Sequence, residues 1–235
     1  MYGTLFGVGV GPGAADLLTL RAVRVLATVD TILAAASTRN ESSLALTIAK
    51  EHVRPGIPLV RLDFPMIRDN AVRRSAWKKA AETTLSILAS GKSAAFLTIG
   101  DPLLYSTFGY LMRTVEDLAP DCPIEIVSGI TSFQAAAARS KTVLCEDEET
   151  LHIIPGIKRE EDLVAALEKA DTAVIVKTYR NMDAIRKALV RSGRSEQCIV
   201  ASLVERSGER LAKGLTHVEG IPPYMSLIVS PHPKR

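Results

Sequence analysis

Three short stretches carry residue types from which a ligand site could be built. Gly9-Val10-Gly11-Pro12-Gly13-Ala14 fits the dinucleotide pattern GxGxxA, with Asp30 downstream as a ribose ligand. Pro12 has no N–H where a phosphate cradle needs donors, so a structural turn and a nucleotide loop stand level. Gly100-Asp101-Pro102 offers a carboxylate that could accept from a ribose hydroxyl or an amine, or orient a positive group; a type I turn is the simpler account of the tripeptide alone. Ser128-Gly129-Ile130-Thr131-Ser132 offers hydroxyls that could cap a helix or hydrogen-bond a ligand, and capping is the simpler account. His52, His152, His217 and His232 are scattered without metal-ligand spacing, so no metal site is expected. Neither a GxSxG elbow nor a GxxxxGK[ST] loop occurs, which speaks against hydrolase and nucleotide-phosphotransfer chemistry.

Each stretch follows an apolar run of strand length, so all three could converge on one rim. Leu5 to Val10 is the first strand, residues 17 to 26 have helical spacing, and a second apolar run begins at Thr31: a βαβ unit of an open parallel sheet. Helices are expected over 37–50, 69–90 (closed by Gly91), 105–118 and 128–139, with strands at 58–64, 93–99 and 124–127. The acidic run Glu146 to Glu149 reads as a solvated linker, which puts the domain boundary between 145 and 146. The alternation then restarts, with strands at 151–154, 172–177, 199–204 and 227–229, helices at 159–170 and 182–192, and a turn or hairpin in 205–214. The fold class is α/β: two α/β domains, 1–145 and 146–235, with the interdomain cleft as the default ligand site.

Twenty-nine basic against 26 acidic residues leave a net charge of +3, too small to argue for nucleic acid and compatible with an acidic substrate. The three cysteines, Cys122, Cys145 and Cys198, form no CxxC pair, which fits a reducing, cytoplasmic compartment. Neither a signal peptide nor a membrane-spanning run is read.

VGVGPG followed by LLTLRAVRVL, then GDPLLYST, then SGITSFQAAAAR, in that order and spacing, resemble the tetrapyrrole methylases, which use S-adenosylmethionine in cobalamin and sirohaem synthesis. GDPLLYSTFGYL looks most like the branch that methylates C20 of precorrin-2 or its cobalt form. The resemblance implies a homodimer, with the cofactor folded into the cleft between two α/β domains. It implies that the N-terminal glycine loop faces the tetrapyrrole, with Gly11 toward the substrate and Pro12 near the cofactor. Cofactor contacts carry over to Gly100, Asp101, Leu104, Tyr105, Thr131 and Ser132, and from the second domain to Thr178, Tyr179, Tyr224, Met225 and Ser226. Ala14-Ala15-Asp16 departs from relatives that place an acid and a proline directly after the glycine loop, which weakens any role for an acid there.

A methyl on a sulfonium is already electrophilic, so transfer to an electron-rich meso carbon is mostly positioning, and a dry cleft favours the loss of charge at sulfur. The sequence names no catalytic base. The many carboxylates of a tetrapyrrole call for cations, and Arg39, Arg68, Arg113, Lys177 and Arg180 stand near predicted strand ends or loops. The alternatives are methylation at another position of a corrinoid or sirohaem precursor, a nicotinamide-dependent oxidoreductase resting on GxGxxA and Asp30, and a non-catalytic tetrapyrrole- or cofactor-binding module.

Overall fold

The computed structural model describes residues 1–36, 43–156, 159–218 and 220–232, which form two compact units, Met1–Thr131 and Ser132–Arg235.

In the first unit, β1 (Leu5–Gly9), β2 (Thr31–Ala36), β3 (Leu59–Asp63), β4 (Ala94–Thr98) and β5 (Ile124–Val127) form one parallel sheet in the order β3-β2-β4-β1-β5. Its helices are α1 (Leu20–Thr28), α2 (Leu44–Ala49), α3 (Asn70–Leu88) and α4 (Phe108–Leu118). A parallel sheet is covered on both faces, and the alternation along β4 shows it. Ala94 and Phe96 pack with Leu5, Leu88 and Phe108, while Ala95 and Leu97 pack with Val8, Leu26 and Ile32. Gly7 is glycine because the Phe108 ring lies flat on it: a Cβ there would sit 2.4 Å from ring carbons.

Caps set the helix ends. Asp69 accepts from the Ala71 and Val72 N–H groups at 2.8 and 3.2 Å and starts α3, and Gly91 at φ +77° ends it. α4 begins at Phe108 and not at Tyr105, whose φ of +52° is incompatible with a helix. α2 is shorter than expected, and residues 37–42 of the expected helix lie outside the described residues.

The second unit comprises α5 (Ser132–Ser140), β6 (Leu151–Pro155), α6 (Glu160–Glu168), β7 (Thr172–Val176), α7 (Met182–Arg191), β8 (Ile199–Ser202), β9 (Arg210–Lys213) and β10 (Ser226–Pro231). The sheet order is β6-β7-β10-β8-β9. Among the described residues only β6 and β7 pair in parallel; β10 runs antiparallel to both neighbours, and β8 and β9 form the hairpin expected in 205–214. α5 opens at Ser132, four residues after the expected start. It belongs to this unit because Phe133, Ala135, Ala136 and Ala137 are buried and the helix packs on β10. Compactness therefore divides the chain at 131/132 and not at 145/146. The acidic run follows as coil, with the Glu149 carboxylate folding back onto the Glu146 N–H at 2.8 Å.

Beneath this sheet lies a buried guanidinium. Arg194 donates to the carbonyls of Leu167 (2.8 Å), Ala170, Asp171 (3.2 Å) and Ser230 (3.0 Å), collecting one carbonyl at the end of α6, two from the connection to β7 and one from β10. Burial pushes its pKa down while the Asp171 charge opposes the shift. Among the described residues, no helix is long and apolar enough to cross a membrane.

Candidate active site

In the first unit β4, β1 and β5 are parallel neighbours, so the loops that follow them leave one edge of the sheet. Backbone contacts bind these loops. Val10 donates to Thr98 at 2.9 Å, and Gly100 donates to Gly11 at 2.8 Å across an isolated antiparallel bridge. The Asp101 carboxylate ties two loops: one oxygen accepts from Leu103 N–H at 2.9 Å, the other from Gly129 N–H at 3.0 Å. Gly9, Gly100 and Gly129 touch backbone to backbone. A Cβ on Gly129 would meet the Gly100 carbonyl at 2.1 Å, and one on Gly9 would meet it at 2.5 Å. The expected convergence on one rim is observed. Asp101, expected as a ligand group, already serves as a tie.

Around this tie, Gly11, Pro12 and Gly100 are buried, Leu104 and Thr131 are half-buried, and Tyr105 is exposed in a left-handed conformation that costs a non-glycine residue about 1–2 kcal/mol. The nucleotide-loop alternative fails on geometry. After the glycines the chain makes a short 3-10 turn (Ala15–Leu17), and α1 starts only at Leu20 behind a Thr19 cap, so no helix N-terminus faces the loop. Asp30 precedes β2, at the other end of the sheet. Its carboxylate accepts from the Ser93 N–H at 2.8 Å and hydroxyl at 3.0 Å, which hold its pKa down.

In the second unit, β7 and β8 end where β10 begins. Hydroxyls close this edge. Thr178 donates to the Ser226 carbonyl at 3.2 Å, Ser202 and Ser226 share a 2.7 Å hydrogen bond, and Ser226 donates to the Pro223 carbonyl at 2.8 Å. All three hydroxyl residues are buried. Beside them Tyr179 and Tyr224 meet edge to face at 5.2 Å, and the Arg180 guanidinium lies 5.7 Å from the Tyr179 ring centroid. Lys177 (φ +59°), Leu203 (+51°), Glu205 (+59°) and Met225 (+72°) are all left-handed without being glycine. Strain of this kind persists where surrounding contacts hold it and concentrates at functional sites.

The chain matches the family Tetrapyrrole (Corrin/Porphyrin) Methylases over residues 4–216. It is 33% identical to the cobalt-precorrin-2 C(20)-methyltransferase of Salmonella typhimurium, over 97% of this chain and 96% of that one. It is 29% identical to the precorrin-2 C(20)-methyltransferase of a Sinorhizobium species, over 97% and 95%. Among solved structures, the uroporphyrin-III C-methyltransferase of Thermus thermophilus complexed with S-adenosylhomocysteine superposes with a TM-score of 0.68 at 22% identity, covering 99% of this chain and 94% of that one.

The chain belongs to the tetrapyrrole methylases.

Family membership removes the oxidoreductase alternative, in agreement with the loop and Asp30 geometry. Of the cations expected at a tetrapyrrole methylase's substrate, Lys177 and Arg180 sit on the second unit's strained edge. Arg68 is exposed ahead of α3. Arg113 lies not on a strand-end loop but on α4, its guanidinium 5.4 Å from the Tyr110 ring. That ring stacks on Trp77 at 4.3 Å, and the Arg73 guanidinium lies 5.6 Å from the Trp77 ring centroid. Arg39 lies outside the described residues. Among the described residues no group of three or more His, Cys, Asp or Glu side chains is placed to hold a metal ion.

The sequence reading missed Ser202, Leu203, Glu205 and Glu209. Ser202 and Leu203 stood inside the expected strand 199–204, and Glu205 and Glu209 in the expected polar turn or hairpin 205–214.

Proposed function

We propose that this tetrapyrrole methylase transfers a methyl group from S-adenosylmethionine to the C20 meso carbon of precorrin-2 or its cobalt form, in cobalamin biosynthesis. The near full-length identity with the Salmonella enzyme carries the reading. The donor set fits the cofactor: hydroxyls and backbone groups for the ribose and amino acid moieties, rings for the adenine, and little charge against the sulfonium. When bound, S-adenosylmethionine supplies an electrophilic methyl group.

The residues proposed as cofactor contacts are Pro12, Gly100, Asp101, Leu104, Tyr105, Thr131, Ser132, Thr178, Tyr179, Tyr224, Met225 and Ser226. Gly100 suits close approach: at φ +71° its missing Cβ would point into space whose nearest atoms, of Ile130 and Thr131, are 3.9 Å away. The Asp101 tie and the buried hydroxyls fix the loops before ligand arrives, which reduces the ordering cost of binding. Gly11 faces the tetrapyrrole, and Lys177 and Arg180 receive its carboxylates, with Arg68 and Arg39 as further candidates. The enzyme works as a cytoplasmic homodimer.

The test is anaerobic turnover read by mass spectrometry, with S-adenosylmethionine and, in parallel, precorrin-2 and its cobalt form. Gain of one methyl on either substrate supports C20 transfer and identifies the physiological form. No gain on either refutes it. Arg180→Ala raises the substrate KM; an unchanged KM removes Arg180 from the substrate site.

A further inference from the structure

The turn between β8 and β9 is held by a charged pair. The two carboxylate oxygens of Glu209 face different ways. Oε1 accepts from Nε and Nη2 of Arg139 at 3.0 and 2.8 Å; Oε2 accepts from the Glu205 N–H at 2.6 Å. The Glu205 carboxylate stands 3.7 Å from Arg139 Nε. The Glu205 N–H, and after it Arg139, hold the Glu209 carboxyl below its usual range.

What this pair holds is strained. Leu203 and Glu205 are left-handed, and Gly208 at φ +84° completes the turn. Through it the turn grips Met225. The Leu203 N–H donates to the Met225 carbonyl at 3.1 Å, and Arg206 Nη1 donates to the Met225 Sδ at 3.0 Å. The opposite end of the relay is α5, which carries Arg139 in its last turn and begins with Ser132.

We infer that Arg139 and Glu209 are positioning residues for the cofactor: the pair sets Ser132, at the start of α5, against the left-handed Met225. Neither side chain touches the ligand. The inference rests on the reading of Ser132 and Met225 as S-adenosylmethionine contacts. The residues lie 70 positions apart, so the pair joins segments distant in sequence, with the Glu205 carboxylate as a second, longer contact to Arg139. Arg139 is half exposed, which moderates the effect.

The experiment measures the Kd of S-adenosylhomocysteine by calorimetry, and KM and kcat for methyl transfer, on the full chain. Glu209→Ala and Arg139→Ala each raise the Kd and the S-adenosylmethionine KM about tenfold, while kcat at saturation and the tetrapyrrole KM stay within about twofold. The double variant is no worse than either single one, since both remove one link. Glu209→Gln, whose amide oxygen still accepts from Glu205 N–H, recovers part of the affinity. Wild-type Kd in both alanine variants overturns the inference, and so does an equal loss of tetrapyrrole affinity, the mark of general disruption. If Glu209→Ala does not fold, Arg139→Lys keeps the charge without the two-armed grip and raises the Kd about threefold; an unchanged Kd there overturns the inference equally. Failure of the wild type to bind S-adenosylhomocysteine overturns the cofactor reading instead.

Discussion

Asp101→Asn separates two roles that the GDP segment could give its carboxylate. In the structure both oxygens are used, one on Leu103 N–H at 2.9 Å and one on Gly129 N–H at 3.0 Å. An amide has one oxygen, so one of these N–H groups must face an NH2 donor. A hydrogen bond to a charged acceptor contributes about 1.5–3 kcal/mol. The Leu103 side is exposed, so the amide keeps its oxygen on Gly129 and loses the cheaper bond. We expect a total cost of about 2 kcal/mol once the weaker remaining bond is included. At roughly 2–4 °C per kcal/mol, the first unit melts about 6 °C lower. The assay is thermal unfolding followed by circular dichroism without ligand, then calorimetric titration with S-adenosylhomocysteine. A tie predicts both a lower melting temperature without ligand and weaker binding, because the GDP and SGI loops lose their common anchor. An unchanged melting temperature with weakened binding refutes the tie and makes Asp101 a direct ligand group.

Gly129→Ala places a Cβ 2.1 Å from the Gly100 carbonyl, backbone against backbone, so the rim must open; we expect about 2–3 kcal/mol of destabilisation and loss of cofactor binding, and a fully active, equally stable variant would refute the packing argument. Arg194→Met leaves four carbonyls without their donor, at a cost of about 3–5 kcal/mol, read as a lower urea midpoint for the second unit; an unmoved midpoint would show that water satisfies them. Asp30 has a lowered folded pKa, so its contribution is present at neutral pH and is lost as pH falls from the ordinary carboxylate value through the folded one. Asp30→Asn should therefore flatten the acid limb of the stability profile, and an identical limb would show that other carboxylates set it.

The first sheet was legible because its strands are near-continuous apolar runs closed by glycines, the pattern a doubly covered parallel sheet imposes. Helix starts were less so. Tyr105 and Ser128 sit in good helical context, but a left-handed Tyr105 and an N–H of Gly129 held by Asp101 delay α4 and α5. The boundary expectation followed charge, whereas the units divide by packing, and α5 signals its allegiance only through contact with β10, far away in sequence. The edge of the second unit was half legible. Tyr224, Met225 and Ser226 came from the family pattern, while Ser202, Leu203 and Glu209 act through long-range hydrogen bonds and through left-handed backbone at residues that are not glycine. Neither leaves a local trace in residue types.

The placement of β10 has a consequence for how the chain acquires its structure. The strand latest in sequence occupies the middle of the second sheet, antiparallel between β7 and β8. All five strands of the first sheet lie within residues 5–127, so that sheet can close while the rest of the chain is still being synthesised. In the second unit β7 and β8 have no common partner until residues 226–231 arrive, and until then each offers an unsatisfied edge. Maturation is thus staged: a first sheet whose strands are all made early, and a second whose central strand is the last of its five to be made.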